Sequence, residues 1–227
     1  MSLQEISSRV VACTRCPRLV SWRESVAADP PPRFAGDAYW AKPVPGFGDP
    51  AARLMVVGLA PAAHGGNRTG RIFTGDRSGD WLFRALHKVG FANLPASVAR
   101  DDGLRLDDCY VTAVVRCAPP DNKPSPDERD NCIGYLIEEI GALERLKVIV
   151  ALGAFAWAGV LRSFDSLDHG TGKRAPKPKF AHLSVARVGG CTLIGSYHPS
   201  QQNTFTGRLT EEAFDAVFRE AKERLYG

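Results

Sequence analysis

The sequence predicts an α/β fold of three layers, α/β/α, built on a central four-stranded, mainly parallel sheet. Three observations lead there. Four short runs rich in Val, Ile and Leu are apolar throughout rather than alternating, the pattern of strands buried on both faces. Segments with helical start and stop signals separate them. No internal repeat and no linker divides the 227 residues, a length that one generous α/β domain fills, so residues 1–227 are expected to form a single domain.

Taken in order, residues 1–50, with Pro30-Pro31-Pro32, Pro43 and Pro45, read as an N-terminal arm wrapping that domain. Leu54 to Gly58 is the first strand. Ser78 is placed to cap a helix through Trp81, Leu82, Leu86 and Val89, which Gly90 stops. Tyr110 to Val115 is the second strand. Ser125-Pro126-Asp127-Glu128 has the form of a capping box with Pro in the first turn, and it opens a helix towards Leu146. Val148 to Leu152 is the third strand, and an apolar helix, Gly153 to Phe164, follows at once. Asp168 to Phe180, rich in Gly, Lys and Pro, reads as an exposed loop. Thr192 to Gly195 is the fourth strand. Thr210 caps a last helix with Phe214, Val217, Phe218, Ala221 and Leu225 on one face.

Hydrophobic residues at 44% and charged ones at 24% exclude a disordered or fibrous chain. No apolar run reaches the roughly 20 residues of a membrane helix; the longest, Val148 to Leu161, is interrupted by two glycines. Met1-Ser2-Leu3-Gln4-Glu5 lacks a basic region followed by an apolar core, so a cytoplasmic protein is expected. The net charge of +4 permits a polyanionic partner without requiring one.

Six cysteines without an export signal point to metal or catalysis rather than disulfides. Cys109 and Cys191 lie inside strand-like runs and read as small buried hydrophobes. Cys13, Cys16, Cys117 and Cys132 instead lie at element ends in polar or Pro-rich surroundings. Four such thiolates suit an iron–sulfur cluster or zinc. Only one pair is a tight C-x-x-C and Cys132 is expected on a helix, which favours a bulky [4Fe-4S] cluster over a single ion; zinc and four unrelated thiols are the alternatives. Whatever is bound ties the arm to the middle of the chain.

Ligands of open parallel sheets bind outside the carboxyl ends of the strands, and polar stretches follow three of the four there. They run from Gly58 to Asp80, from Arg116 to Pro124 and from Ser196 to Arg208. The first is neither a phosphate-binding loop nor a dinucleotide fingerprint. His198, at a strand end before a proline and among Ser and Gln residues, is placed for function.

Gly58-Leu-Ala-Pro-Ala, Thr69-Gly-Arg-Ile-Phe-Thr-Gly75 and His198-Pro-Ser-Gln-Gln-Asn-Thr-Phe-Thr-Gly-Arg208 resemble the motifs of the uracil-DNA glycosylase superfamily. With Cys13-x-x-Cys16-Pro17 and Cys117-Ala-Pro-Pro, the likeness is greatest to its iron–sulfur branch, family 5. The resemblance implies a structural [4Fe-4S] cluster and excision of uracil from DNA through base flipping, leaving an abasic site. It casts His198 as the donor to the uracil oxygen and Phe73 as the stacking face, with Gly58, Ala60 and Ala62 close to base and sugar. The carboxylate or amide that relatives carry in the first motif is replaced by Leu59 and Ala60, so Asp76, then Asp80, is the candidate to position water. Thr112-Ala113 stands where relatives carry an asparagine that reads the base; Asn122 or Asn203 is the expected substitute, and hypoxanthine and xanthine are expected as further substrates. Arg68, Arg71, Lys123 and Arg208 are expected along the DNA backbone, with Ser200 and Gln202. Phe205 or Leu209 is expected to wedge the gap left by the base. A monomer is expected. Two other readings stand beside this one: a non-enzymatic nucleic-acid-binding protein with a zinc or iron–sulfur staple, and a phosphohydrolase of small nucleotides.

Overall fold

The computed structural model describes residues 1–167 and 177–227. Its centre is a six-stranded sheet rather than a four-stranded one. The four expected strands are β2 (Leu54–Gly58), β3 (Cys109–Ala113), β4 (Val148–Leu152) and β6 (Cys191–Ser196), all mutually parallel. Two antiparallel edge strands were not expected: β1 (Phe47–Gly48) beside β3, and β5 (Val185–Val188) beside β6. The order is β1-β3-β2-β4-β6-β5. Gly189 and Gly190, both with positive φ, close the β5–β6 hairpin, as a two-residue turn between twisted strands requires.

β3 ends at Ala113, two residues before the expected Val115, yet the N–H groups of Val114 and Val115 still donate to the carbonyls of Gly58 and Leu59 at 3.0 Å. That continued pairing carries the chain to Arg116 and Cys117 beside the end of β2.

Alternate strand residues feed two apolar cores. Leu54 and Val56 face one, with α4 (Arg77–Val89) and α8 (Glu211–Tyr226). Met55 and Val57 face the other, with α1 (Leu3–Val11), α5 (Pro126–Ala142) and α6 (Ala154–Leu167). The three layers follow from this alternation.

Helix starts match their chemistry. Ser125 and Glu128 form the expected capping box of α5, and Thr210 caps α8. α5 stops at Ala142, short of Leu146. At α4 the cap is Asp76, not Ser78; the Asp76 carboxylate accepts the Gly79 N–H, and the Ser78 hydroxyl instead donates to the Pro199 carbonyl at 3.1 Å.

The N-terminal arm contains two helices that were not expected. Ser2 and Glu5 make a capping box for α1, and Pro17 opens α2 (Pro17–Ala28). α1 buries Ile6 and Val10 and its Arg9 pairs with Glu138 of α5 at 2.7 Å. α3 (Gly66–Thr69) and α7 (Gln201–Phe205) are short turns in the strand-end loops. Of the loop expected over 168–180, residues 168–176 lie outside the described residues. No helix among the described residues is long and apolar enough to cross a membrane.

Candidate active site

A cavity of about 560 Å³ opens at the carboxyl ends of the parallel strands. The loop after β2 contributes Leu59, Ala60 and Ala62, and the approach to α4 contributes Phe73, Asp76, Arg77 and Ser78. Asp121 and Asn122 come from the turn before α5; His198, Ser200, Gln201 and Gln202 come from the segment after β6. A larger hollow between α1 and β1 contains none of Phe73, Asp76 and His198.

Close packing that only glycine permits sets the position of Phe73. Its backbone is left-handed, with φ of 54°, a strained conformation for an aromatic residue. A Cβ on Gly58 would come within 2.6 Å of the Phe73 ring, and one on Gly79 within 1.9 Å of the Phe73 carbonyl oxygen. Gly58 thus packs against Phe73 and, contrary to the expectation that it lies close to base and sugar, is absent from the cavity wall. The Phe73 and His198 rings stand 6.1 Å apart between centroids, inclined by 31°.

One oxygen of Asp76 accepts the Gly79 N–H at 3.0 Å. The other lies where a Cβ on Gly65 would fall 2.1 Å away, so the carboxylate presses against a glycine backbone. Burial raises its pKa, with a contribution from the charge of Asp80, against the lowering effect of the Gly79 and Ser78 N–H groups. A carboxylate so placed is a better base than a solvated one. Asp80 is exposed and lines only the adjoining cavity.

Burial lowers the pKa of His198 to about 4, so the imidazole is neutral at pH 7 and keeps one N–H donor. The His198 carbonyl accepts from the Asn203 side chain at 2.9 Å. Asn203 therefore fixes the histidine's main chain and is absent from the cavity wall, which corrects its expected contact with the base. Asn122 does line the cavity, and it and Asp121 both have left-handed backbones, φ 55° and 53°. Neither Thr112 nor Ala113 reaches it: the Thr112 hydroxyl donates to Glu139 at 2.8 Å in a buried network with Arg116.

The expected cations divide. Arg71 is buried, paired with Asp102 at 2.6 Å and hydrogen-bonded to Ser97 and Thr74; it braces the loop and offers nothing to a phosphate. Arg68 is also committed inward, to Asp37 and to the His64 carbonyl, with its guanidinium 4.4 Å from the Phe34 ring centre. Lys123 and Arg208 are exposed. The sequence reading missed Arg77, which lines the cavity and lies 4.4 Å over the ring of Phe205, itself 67% exposed. Leu209 is buried and so is excluded as a wedge. A second cavity of about 680 Å³ adjoins the first, sharing Ala62, Asp76, Arg77 and Asn122 and adding Trp22, Phe34 and His64.

The four candidate ligand cysteines surround one small hollow with Leu19, Arg23, Pro43 and Arg116. Donors face all four sulfurs: Arg23 to Cys117 at 3.1 Å, the Arg116 N–H to Cys132 at 3.2 Å, Asn131 to Cys16 at 3.7 Å, and Arg15 and Tyr135 to Cys13. Cys109 and Cys191 are buried in the two cores.

A model of the uracil DNA glycosylase superfamily matches residues 45–222. The chain is 52% identical to a type-5 uracil-DNA glycosylase of Mycobacterium tuberculosis over 98% of this chain and 81% of that protein. It is 49% identical to a type-5 uracil-DNA glycosylase of Thermus thermophilus over the full length of both. A type-4 uracil-DNA glycosylase of Archaeoglobus fulgidus is 33% identical over 79% of this chain and 80% of that protein.

Proposed function

The chain belongs to the uracil-DNA glycosylase superfamily, in its type-5 branch, and we propose that its excision of uracil from DNA takes place in the cavity of Phe73, Asp76 and His198. The observation that carries this reading is the meeting of an aromatic face, a half-buried carboxylate and a neutral imidazole in one strand-end cavity.

A duplex hides the C1′–N bond, so the nucleotide leaves the stack first. The uracil ring stacks on Phe73, Ala60 and Ala62 leave room for base and sugar, and Asn122 reads the base edge. As the C1′–N bond breaks, negative charge gathers on uracil and positive charge on the sugar. Neutral His198 donates a hydrogen bond to the uracil oxygen as that charge grows. Asp76 takes a proton from the water whose oxygen bonds to C1′, and its own negative charge favours the cationic sugar. The anionic base departs and is then protonated by solvent. Lys123, Arg208, Ser200 and Gln202 contact the backbone, and Phe205 fills the gap in the stack.

Hypoxanthine and xanthine are further substrates on this reading, because β3 brings no amide to select the pyrimidine edge.

Cys13, Cys16, Cys117 and Cys132 hold a [4Fe-4S] cluster that ties residues 1–50 to the rest of the single domain 1–227. The four sulfurs surround one hollow, and four thiolates drawn from three chain segments suit such a cluster. The buried Nε of Arg23, which has no partner, suits an anionic group in that hollow. When bound, the cluster supplies a cross-link between three chain segments.

The test is incubation with duplex DNA carrying a single uracil. Free uracil and an alkali-labile abasic site are expected, and hypoxanthine and xanthine duplexes answer the wider claim. Intact strands, or release of phosphate without uracil, contradict the reading.

A further inference from the structure

Residue 23 joins the cysteine cage to the catalytic loop. Arg23 is 4% exposed and donates to Cys117 Sγ at 3.1 Å; its Nε has no partner, and its nearest carboxylate, Glu24, is 3.9 Å away. A buried guanidinium without a close counter-ion is unfavourable unless something else offsets its charge. The same residue's carbonyl accepts from the Asn67 side chain at 3.2 Å. Asn67, 1% exposed, belongs to the loop that leads from Gly58 to Asp76, and its own N–H and carbonyl bond to Ala62 and Ala41. The neighbouring Trp22 lines the cavity that shares Asp76 and Asn122 with the base cavity. One turn of α2 thus touches the cage with a side chain and the active-site loop with its backbone.

We propose that Arg23 is a positioning residue with two functions: its guanidinium balances the charge of the loaded cage, and its carbonyl, through Asn67, transmits the integrity of the cage to the loop at 62–76. This rests on the cluster reading above. Partners that orient the ligands of a metal site commonly change its affinity by about 10–100-fold when removed.

The test uses the full-length protein loaded with its cluster, reading the rate at which visible absorbance is lost in air and hydrogen exchange at residues 62–70. Arg23→Met is expected to bleach about tenfold faster and to exchange faster over 62–70. Asn67→Ala is expected to loosen 62–70 without changing the bleaching rate, and stripping the cluster with a chelator should loosen the wild-type segment but add little in Asn67→Ala. Arg23→Met that keeps both rates within about twofold of wild type overturns the proposal. If Arg23→Met does not fold, Arg23→Gln replaces it; it keeps a donor and loses the charge, and unchanged bleaching with unchanged exchange overturns the proposal equally. Protein that folds and purifies without iron overturns the cluster reading itself, an outcome distinct from a failure of Arg23.

Discussion

The base cavity and the cysteine cage draw on different cores of one sheet, Phe73 on the first and the four cysteines on the second, and they treat charge in opposite ways. In the cavity, burial works against charge: it lowers the pKa of His198 to about 4 and raises that of Asp76. Around the cage, charge is kept inside the fold: Arg116, fully enclosed, pairs with Glu139 at 2.6 Å, and Arg23, with no close carboxylate, lies against Cys117. A reaction that separates charge gains from groups free to donate or accept as charge develops. A cross-link gains from charges already neutralised.

Substitutions that move one region and spare the other sharpen this contrast. The largest effect is expected from Asp76→Asn. Asparagine still caps α4, so the melting temperature should hold while single-turnover uracil release falls by about 10³-fold; equal losses of both would reduce Asp76 to a helix cap. Glu139→Ala works the other way. It leaves the Arg116 guanidinium buried and unpaired, so chemical denaturation should show stability lower by about 3 kcal/mol, with uracil release per folded molecule unchanged. His198→Ala should slow release by about 10²-fold with little change in DNA affinity measured on an uncleavable analogue. The smallest effect separates the arginines. Arg208→Ala should weaken DNA binding and reduce the slope of log affinity against log salt by about one. Arg71→Ala should lower stability and leave that slope alone.

The parallel core was legible because strands buried on both faces read as continuous apolar runs, and the caps at Ser125 and Thr210 carried their own signals. The edge strands were not. β1 is two residues within a Pro-rich stretch, and the outer face of β5 is too exposed to show an apolar run, although Gly189-Gly190 marked its hairpin. In the arm, Ser2-x-x-Glu5 and Pro17 announced two helices that its prolines obscured. At the site, residue type alone could not say which cations face solvent. Arg71 and Arg208 look alike in sequence, and only the burial of Asp102 and Ser97 around the first tells them apart. Asn203 was misread for a similar reason, since its amide turns back onto the His198 carbonyl. Arg77 carried no signal beyond its place beside Asp76.

Protonation links the cavity to stability as well. A histidine held neutral in the fold, with its pKa below the ordinary value near 6.5, binds fewer protons folded than unfolded. Its contribution is therefore complete above about pH 6.5 and is lost as pH falls towards 4, by no more than about 3 kcal/mol.

The pH dependence of single-turnover uracil release tests most directly whether the cavity works through an imidazole that burial keeps neutral. The rate should rise with pH as Asp76 loses its proton and then stay level up to pH 8, with His198→Ala displaced downward by a constant factor across that plateau. A rate that falls as pH is raised through about 6.5 in the wild type, and loses that fall in His198→Ala, would show a charged imidazole at work and contradict the account.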